Sequence, residues 1–242
     1  DPVKPAVVFG NSLGTDFRIW DAVRAQLPID TPLLLVDKSG HGLSACGAAL
    51  IPNLADDLAV LMDMHGLRGA VGCGVSVGGQ IMQSLASRRP ELLGALVLCC
   101  TGAKIGDTSG WDTRIAMVNH HGLAHIADSV MERWFAPKFR QAHPQALAGF
   151  STMFSRIDPV GYTDVCKAIR DCDLRQQIGQ INQPTICIAG ADDLSTPPSV
   201  VGALADTLPN ARLEVLTDVG HLPCIEAPDV VARAVITQLA NL

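Results

Sequence analysis

Ser76 sits in the pentapeptide Gly74-Val75-Ser76-Val77-Gly78, between the apolar run GAVGCGV and the helical stretch GGQIMQSLA. A serine on a tight strand-to-helix turn, with glycines two residues away on either side, is the pattern of a nucleophile elbow. The turn admits only residues nearly free of side chain, and it lifts the hydroxyl above the sheet with the positive end of a helix beneath it. A serine hydroxyl is a poor nucleophile until a base takes its proton, so an acid and then a histidine are expected further along the chain. Gly190-Ala191-Asp192-Asp193 follows PTICIAG, and Asp218-Val219-Gly220-His221 follows LEVLT. The G-x-x-D spacing favours Asp193 as the acid. Asp192 is the competing acid, and Asp218 reads as a surface or capping residue. Ser76, Asp193 and His221 are thus the expected triad. Their wide separation in sequence is no obstacle, because active sites in open parallel sheets gather at the carboxyl ends of the strands.

The tetrahedral intermediate needs two backbone N–H groups facing its oxyanion. One is that of Val77, directly after the nucleophile. The other is expected from the loop Gly10-Asn11-Ser12-Leu13-Gly14-Thr15, with Leu13 as donor. Arg133-Trp134, in VMERWFAPKFR, is a candidate substrate-binding pair, since an arginine beside aromatics can hold a carboxylate bidentately in a partly dry pocket. Its competing reading is a surface arginine with Trp134 in packing. His41, in the turn SGHGLS, reads as a structural hydrogen-bonder. His120, His121 and His125 lack the carboxylate of an HExxH arrangement, so no metal is expected. Gly72-Cys73-Gly74 has no third glycine at the dinucleotide-binding position, and Tyr162 is followed four residues later by Cys166 rather than Lys. Both points count against an oxidoreductase.

These residues need a scaffold that brings them together, and the apolar pattern supplies one. Short runs at 6–10, 32–37, 69–75, 94–100, 184–193 and 211–221 alternate with helical patterns. Strands buried on both faces and alternating with helices predict a mostly parallel, doubly wound α/β sheet. The interval 106–180 breaks the rhythm with several helices, and it predicts a helical cap inserted into a core made of 1–105 and 181–242. The chain of 242 residues carries 18 basic and 24 acidic side chains, a net charge of −6. Acids and bases balance within 106–175, so the deficit lies on the core and the cap is neutral, as suits an anionic substrate beneath it. The acidic balance argues against nucleic acid, and no apolar stretch is long enough for a membrane helix. Eight cysteines without a CxxC pair, several inside apolar runs, read as packing thiols of a reducing compartment. DPVKPAVVFG shows no signal-peptide pattern, and the expected location is cytoplasmic.

The sequence resembles the 3-oxoadipate enol-lactonases of the α/β-hydrolase superfamily. The resemblance lies in NSLGTDFRIWD (11–21), GHGLS (40–44), GVSVGGQIMQSLA (74–86), ERWFAPKFR (132–140), DPVGYTDVCKAIRDCDLR (158–175) and IAGADDLSTPP (188–198). The Asn-Ser-Leu-Gly-Thr loop and the Glu-Arg-Trp-Phe segment are more specific to that family than the elbow is. The resemblance implies an α/β-hydrolase fold and opening of an enol-lactone by the triad, with no metal or cofactor. It also implies an oxyanion hole of Leu13 and Val77, with Arg133 and Trp134 in the wall that meets the substrate's acetate arm. The chain departs from the family at Lys38-Ser39, where an arginine usually precedes the Gly-His-Gly turn. Alternatives are a carboxylesterase or another lactonase, a cofactor-free haloperoxidase-like side activity, and, in a different class, a ligand receptor with vestigial turnover.

Overall fold

The computed structural model describes residues 4–242. The reading of the chain's start draws on residues 1–10, of which 1–3 lie outside the described residues. Six strands form one parallel sheet: β1 (Val7–Gly10), β2 (Leu33–Leu35), β3 (Ala70–Val75), β4 (Leu93–Cys99), β5 (Thr185–Gly190) and β6 (Ala211–Leu216), in the order β2-β1-β3-β4-β5-β6. The doubly wound parallel sheet expected from the sequence is therefore present. Three runs, those at 32–37, 184–193 and 211–221, are markedly shorter as strands than as patterns, and β5 ends at Gly190, leaving Asp193 in the loop after it. At the sheet edge, β2 keeps only the three residues that pair with β1, and β6 stops at Leu216, leaving 217–221 as the loop that carries His221.

Strands β1, β3 and β5 are buried at every position, and β4 at all but Gly94, as expected for central strands covered on both faces. The covering helices follow from handedness. The chain runs one way from β1 to β2 and the opposite way from β2 through β3 to β4. Right-handed crossovers therefore set α1 (Asp21–Arg24) on one face, and α2 (Ile51–Met64) and α3 (Val77–Arg88) on the other. The closing helix (Pro228–Ala240) packs beside α1, and α2 packs against α3. The reversal of direction falls between β1 and β3. At such a switch point the loops after neighbouring strands part and leave a crevice at their carboxyl ends. The loop after β1 carries Leu13 and the turn after β3 carries Ser76, so both flank that crevice.

Between β4 and β5 the chain forms α4 (Thr108–His121), α5 (Leu123–Trp134), α6 (Pro137–Ala142), α7 (Pro144–Ser155) and α8 (Pro159–Asp171). Trp134, Phe154 and Tyr162 are buried there and meet edge to face, Trp134 to Phe154 at 5.7 Å and Phe154 to Tyr162 at 5.4 Å. Aromatic contacts of this geometry fix the helices to one another beyond the area they bury. No helix among the described residues is long and apolar enough to cross a membrane. All eight cysteines are free, seven of them buried and only Cys46 exposed, consistent with their reading as small apolar packing groups.

Candidate active site

The turn at Ser76 is built by close approach. A Cβ on Gly74 would lie 2.5 Å from the Gly78 carbonyl oxygen, and one on Gly78 would lie 2.0 Å from that of Gly10. Both glycines are therefore required by contact, and the second presses the start of α3 against the end of β1. Ser76 itself takes φ 59° and ψ −124°, a left-handed conformation that costs a non-glycine residue on the order of 1–3 kcal/mol. The turn is held by its backbone. Ser76 N–H donates to the Cys99 carbonyl at 3.0 Å, and the Ser76 carbonyl accepts from Gly79 N–H and from the Thr101 hydroxyl, the latter at 2.6 Å. Val77 is the first residue of α3, so its N–H has no partner within the helix.

The loop after β1 is fixed from two sides. Gly14 N–H donates to His41 Nε2 at 3.1 Å, and His41 Nδ1 lies 3.1 Å from the Ser39 carbonyl. Burial and the nearby Lys38 charge push the His41 pKa well down, and its part is to accept from this loop. Lys38 is buried, and its ammonium donates to the carbonyls of Ser12 and Thr15. Burial pushes its pKa down to about 7, against the pull of Asp37 and Asp16. A lysine thus anchors the loop that presents Leu13, in the stretch where the family resemblance would place an arginine.

Asp193 and His221 meet on the loops after β5 and β6. His221 Nδ1 stands 2.8 Å from Asp193 Oδ2, and both residues are buried. The other Asp193 oxygen accepts from Ser195 N–H at 2.7 Å and Thr196 N–H at 3.0 Å, and the Thr196 hydroxyl donates to Oδ2 at 2.7 Å. Burial raises the Asp193 pKa, but the facing histidine and these donors outweigh it and hold the carboxyl at about 2. An ionised Asp193 fixes the proton on Nδ1 and leaves Nε2 as the basic nitrogen. Asp192, the competing acid, is exposed, and Asp218 is exposed and pairs with Lys138 at 2.8 Å, in keeping with its reading as a surface residue. Cys100 Sγ, Asp193 and His221 lie within 4.8 Å of one another. The histidine nitrogen is already bonded to the carboxylate, and burial pushes the thiol pKa well up. A protonated thiol is a weak ligand, and Cys100 Sγ donates to the Gly220 carbonyl at 3.6 Å.

The chain brings Ser12, Leu13, Ser76, Arg133, Trp134 and His221 onto one cavity of about 300 Å³. Arg133 donates to the Leu194 carbonyl at 3.0 Å, its Nε is buried without a partner, and no ion pair of Arg133 occurs among the described residues. Burial lowers its pKa, as does the like charge of Arg114. The helical segment is tied directly to the histidine loop. His221 N–H donates to the Trp134 carbonyl at 2.8 Å, while Glu226 accepts from Ala136 N–H at 3.0 Å and Gly220 N–H at 2.9 Å.

Thr196, Glu226 and Arg114 are site residues that sequence reading missed. Thr196 has a faint signal in its spacing, three residues after Asp193. Glu226 has none, because its role depends on two backbone donors from distant segments. It also carries a pH signature. Burial pushes its pKa from 4.5 up to about 7, although its two backbone donors oppose the shift. Between those values the folded chain keeps a proton that the unfolded chain releases, so Glu226 makes stability fall as pH rises from about 4.5 to 7. Glu226→Gln is expected to flatten that fall in denaturant titrations at pH 5 and pH 8. An unchanged pH slope would assign the effect to another group.

The sequence matches the alpha/beta hydrolase family over residues 7–234. It is 32% identical to 3-oxoadipate enol-lactonase 2 of Acinetobacter baylyi, over 96% of this chain and 87% of that protein. The crystal structure of the enol-lactonase from Burkholderia xenovorans superposes with a TM-score of 0.94 at 33% identity, covering 98% of this chain and 92% of the other. A thermophilic esterase from Thermogutta terrifontis, solved with malate bound, has a TM-score of 0.91 at 27% identity and covers 98% and 90%.

Proposed function

From the premise that the chain belongs to the alpha/beta hydrolase family, we propose that it is a carboxylic-ester hydrolase that opens the lactone ring of 3-oxoadipate enol-lactone. The observation that carries this reading is the shared cavity. Ser76 and His221 line it together with Arg133, a cation without a carboxylate partner among the described residues. Similarity to two enol-lactonases supports the substrate class.

In this mechanism Ser76 Oγ attacks the lactone carbonyl while His221 Nε2 takes its proton, and Asp193 stabilises the resulting imidazolium. The N–H groups of Val77 and Leu13 receive the oxyanion. Collapse of the intermediate breaks the bond to the ring oxygen, which leaves as an enolate, takes the proton from His221 and becomes a ketone. Water then attacks the acyl-enzyme, with His221 again as base, and 3-oxoadipate departs. The segment 106–180 acts as a cap over this chemistry. Arg133 holds the substrate carboxylate, and Trp134 forms the wall beside it.

A panel of substrates tests the reading. Arg133→Ala is expected to raise KM for the carboxylate-bearing enol-lactone about tenfold or more. For a lactone of the same ring without the carboxylate, its kcat/KM should stay within about twofold of the unsubstituted protein. Equal loss on both substrates would remove Arg133 from recognition. Neutral esters hydrolysed as fast as the anionic lactone would favour a general carboxylesterase.

A further inference from the structure

Arg114 was not among the residues legible in the sequence, yet it lines the same cavity as Ser76, His221 and Arg133. It projects from α4, three residues after Trp111, and its guanidinium lies 5.5 Å from the centre of that ring. The ring is itself fixed, because Trp111 Nε1–H donates to the Ile105 carbonyl at 2.8 Å. The buried Tyr162 phenol faces Arg114 from α8. Arg114 thus lies over Trp111 and near Tyr162, half-buried on the wall of the cavity. Like Arg133, it forms no ion pair among the described residues, whereas the neighbouring Asp112 pairs with Arg170 at 2.7 Å. Asp107, the one acid among the described residues that line the cavity, is committed to capping α4: it accepts from Gly110 N–H at 2.9 Å and from the Ser109 hydroxyl at 2.7 Å.

Two half-buried guanidiniums that repel each other, without a carboxylate of the protein between them, are costly unless an anion joins them. Resting on the reading above, we propose that Arg114 is a second specificity-determining residue, and that it and Arg133 grip a single substrate carboxylate from opposite elements, α4 and α5. The site is thus selective for lactones or esters bearing one carboxylate at the end away from the scissile bond. Arg114 binds and orients, and takes no part in proton transfer. The placement over the ring also suits arginine: a planar guanidinium can face Trp111 at cation–π range and still present N–H donors to the cavity, which a lysine ammonium does less well.

Equilibrium binding of 3-oxoadipate to the Ser76→Ala protein tests this without turnover. Adding Arg114→Gln is expected to weaken Kd at least fivefold. Arg114→Lys should recover part of the loss, which a purely structural role for the side chain would not predict. Combining Arg114→Gln with Arg133→Gln should weaken binding by clearly less than the product of the two single effects, because both act on one carboxylate. An unchanged Kd on Arg114→Gln, or independent, multiplying effects of the two arginines, would overturn the proposal. In the otherwise unsubstituted enzyme, Arg114→Gln should lower kcat/KM for the enol-lactone by a clearly larger factor than for the carboxylate-free lactone, with an unshifted thermal midpoint as the control for folding. Equal loss on both substrates would overturn it as well. Failure of the enol-lactone reading would show differently, as no ring opening by the unsubstituted enzyme, and the Kd comparison would still decide the role of Arg114.

Discussion

Alanine at position 76 is expected to lower kcat for lactone or ester hydrolysis by about 10⁴- to 10⁶-fold, the range seen when a triad nucleophile is removed. The size of the effect follows from the turn. Ser76 lines the cavity and holds a strained backbone, with φ 59°, directly before a helix whose first N–H has no partner within the helix. Of the three serines that line the cavity, Ser76 alone sits on a strained strand-to-helix turn, whereas Ser12 lies in the loop after β1 and Ser195 in the loop after β5. The substitution removes one hydroxyl and leaves the hydrogen bonds of the Ser76 backbone to Cys99 and Thr101 in place. The thermal midpoint should therefore change little. Activity within tenfold of the unsubstituted enzyme, at full purity, would exclude Ser76 as nucleophile.

Asp193→Asn should cost about 10⁴-fold in kcat. The backbone donors at Ser195 and Thr196 would keep the amide oxygen on their side, as they now hold one carboxylate oxygen. That turns the amide NH2 toward His221 Nδ1, which must then accept, so its proton moves to Nε2 and the base is lost. The same carboxylate carries a stability signature. Its pKa falls from 3.8 unfolded to about 2 folded, so its contribution is present above the unfolded value and disappears as the pH drops toward 2. In Asp193→Asn the part of acid destabilisation between about pH 4 and pH 2 that belongs to this group should vanish, as measured by denaturant midpoints across that range. A kcat within tenfold of the unsubstituted enzyme would return the acid's role to another residue.

Much of this site is legible in the chain because its parts are local. The elbow glycines, the run that ends at Val75 and the helix that starts at Val77 are adjacent, so contact and backbone geometry show in a five-residue pattern. The choice between Asp192 and Asp193 is likewise set by a turn: only the second residue reaches the donors at 195 and 196, while the first faces solvent. The strands could be located along the chain because each is an apolar run closed by a small or polar residue. What was hidden is what depends on distant partners. Lys38 looks like a surface lysine until the loop carbonyls of Ser12 and Thr15 fold over it. Glu226 becomes a clasp only when Ala136 and Gly220 bring their N–H groups together. Arg114 resembles any arginine on an amphipathic helix until α8 delivers Tyr162 behind it. Edge strands are the other soft point. The pattern PLLLVD runs past the end of β2, because pairing with β1 stops at Leu35 and an apolar run alone does not mark where a ladder ends.

The central claim is that the strained serine and the unpaired arginines form one site for a carboxylate-bearing lactone. Its most direct test is the ratio of kcat/KM for 3-oxoadipate enol-lactone to that for a neutral ester of similar size, both measured with the unsubstituted protein at pH 7. Ring opening is expected with kcat/KM in the ordinary enzymatic range, about 10⁴ M⁻¹s⁻¹ or higher, and at least a hundredfold preference over the neutral ester. Absence of ring opening, or a ratio near one, would contradict it.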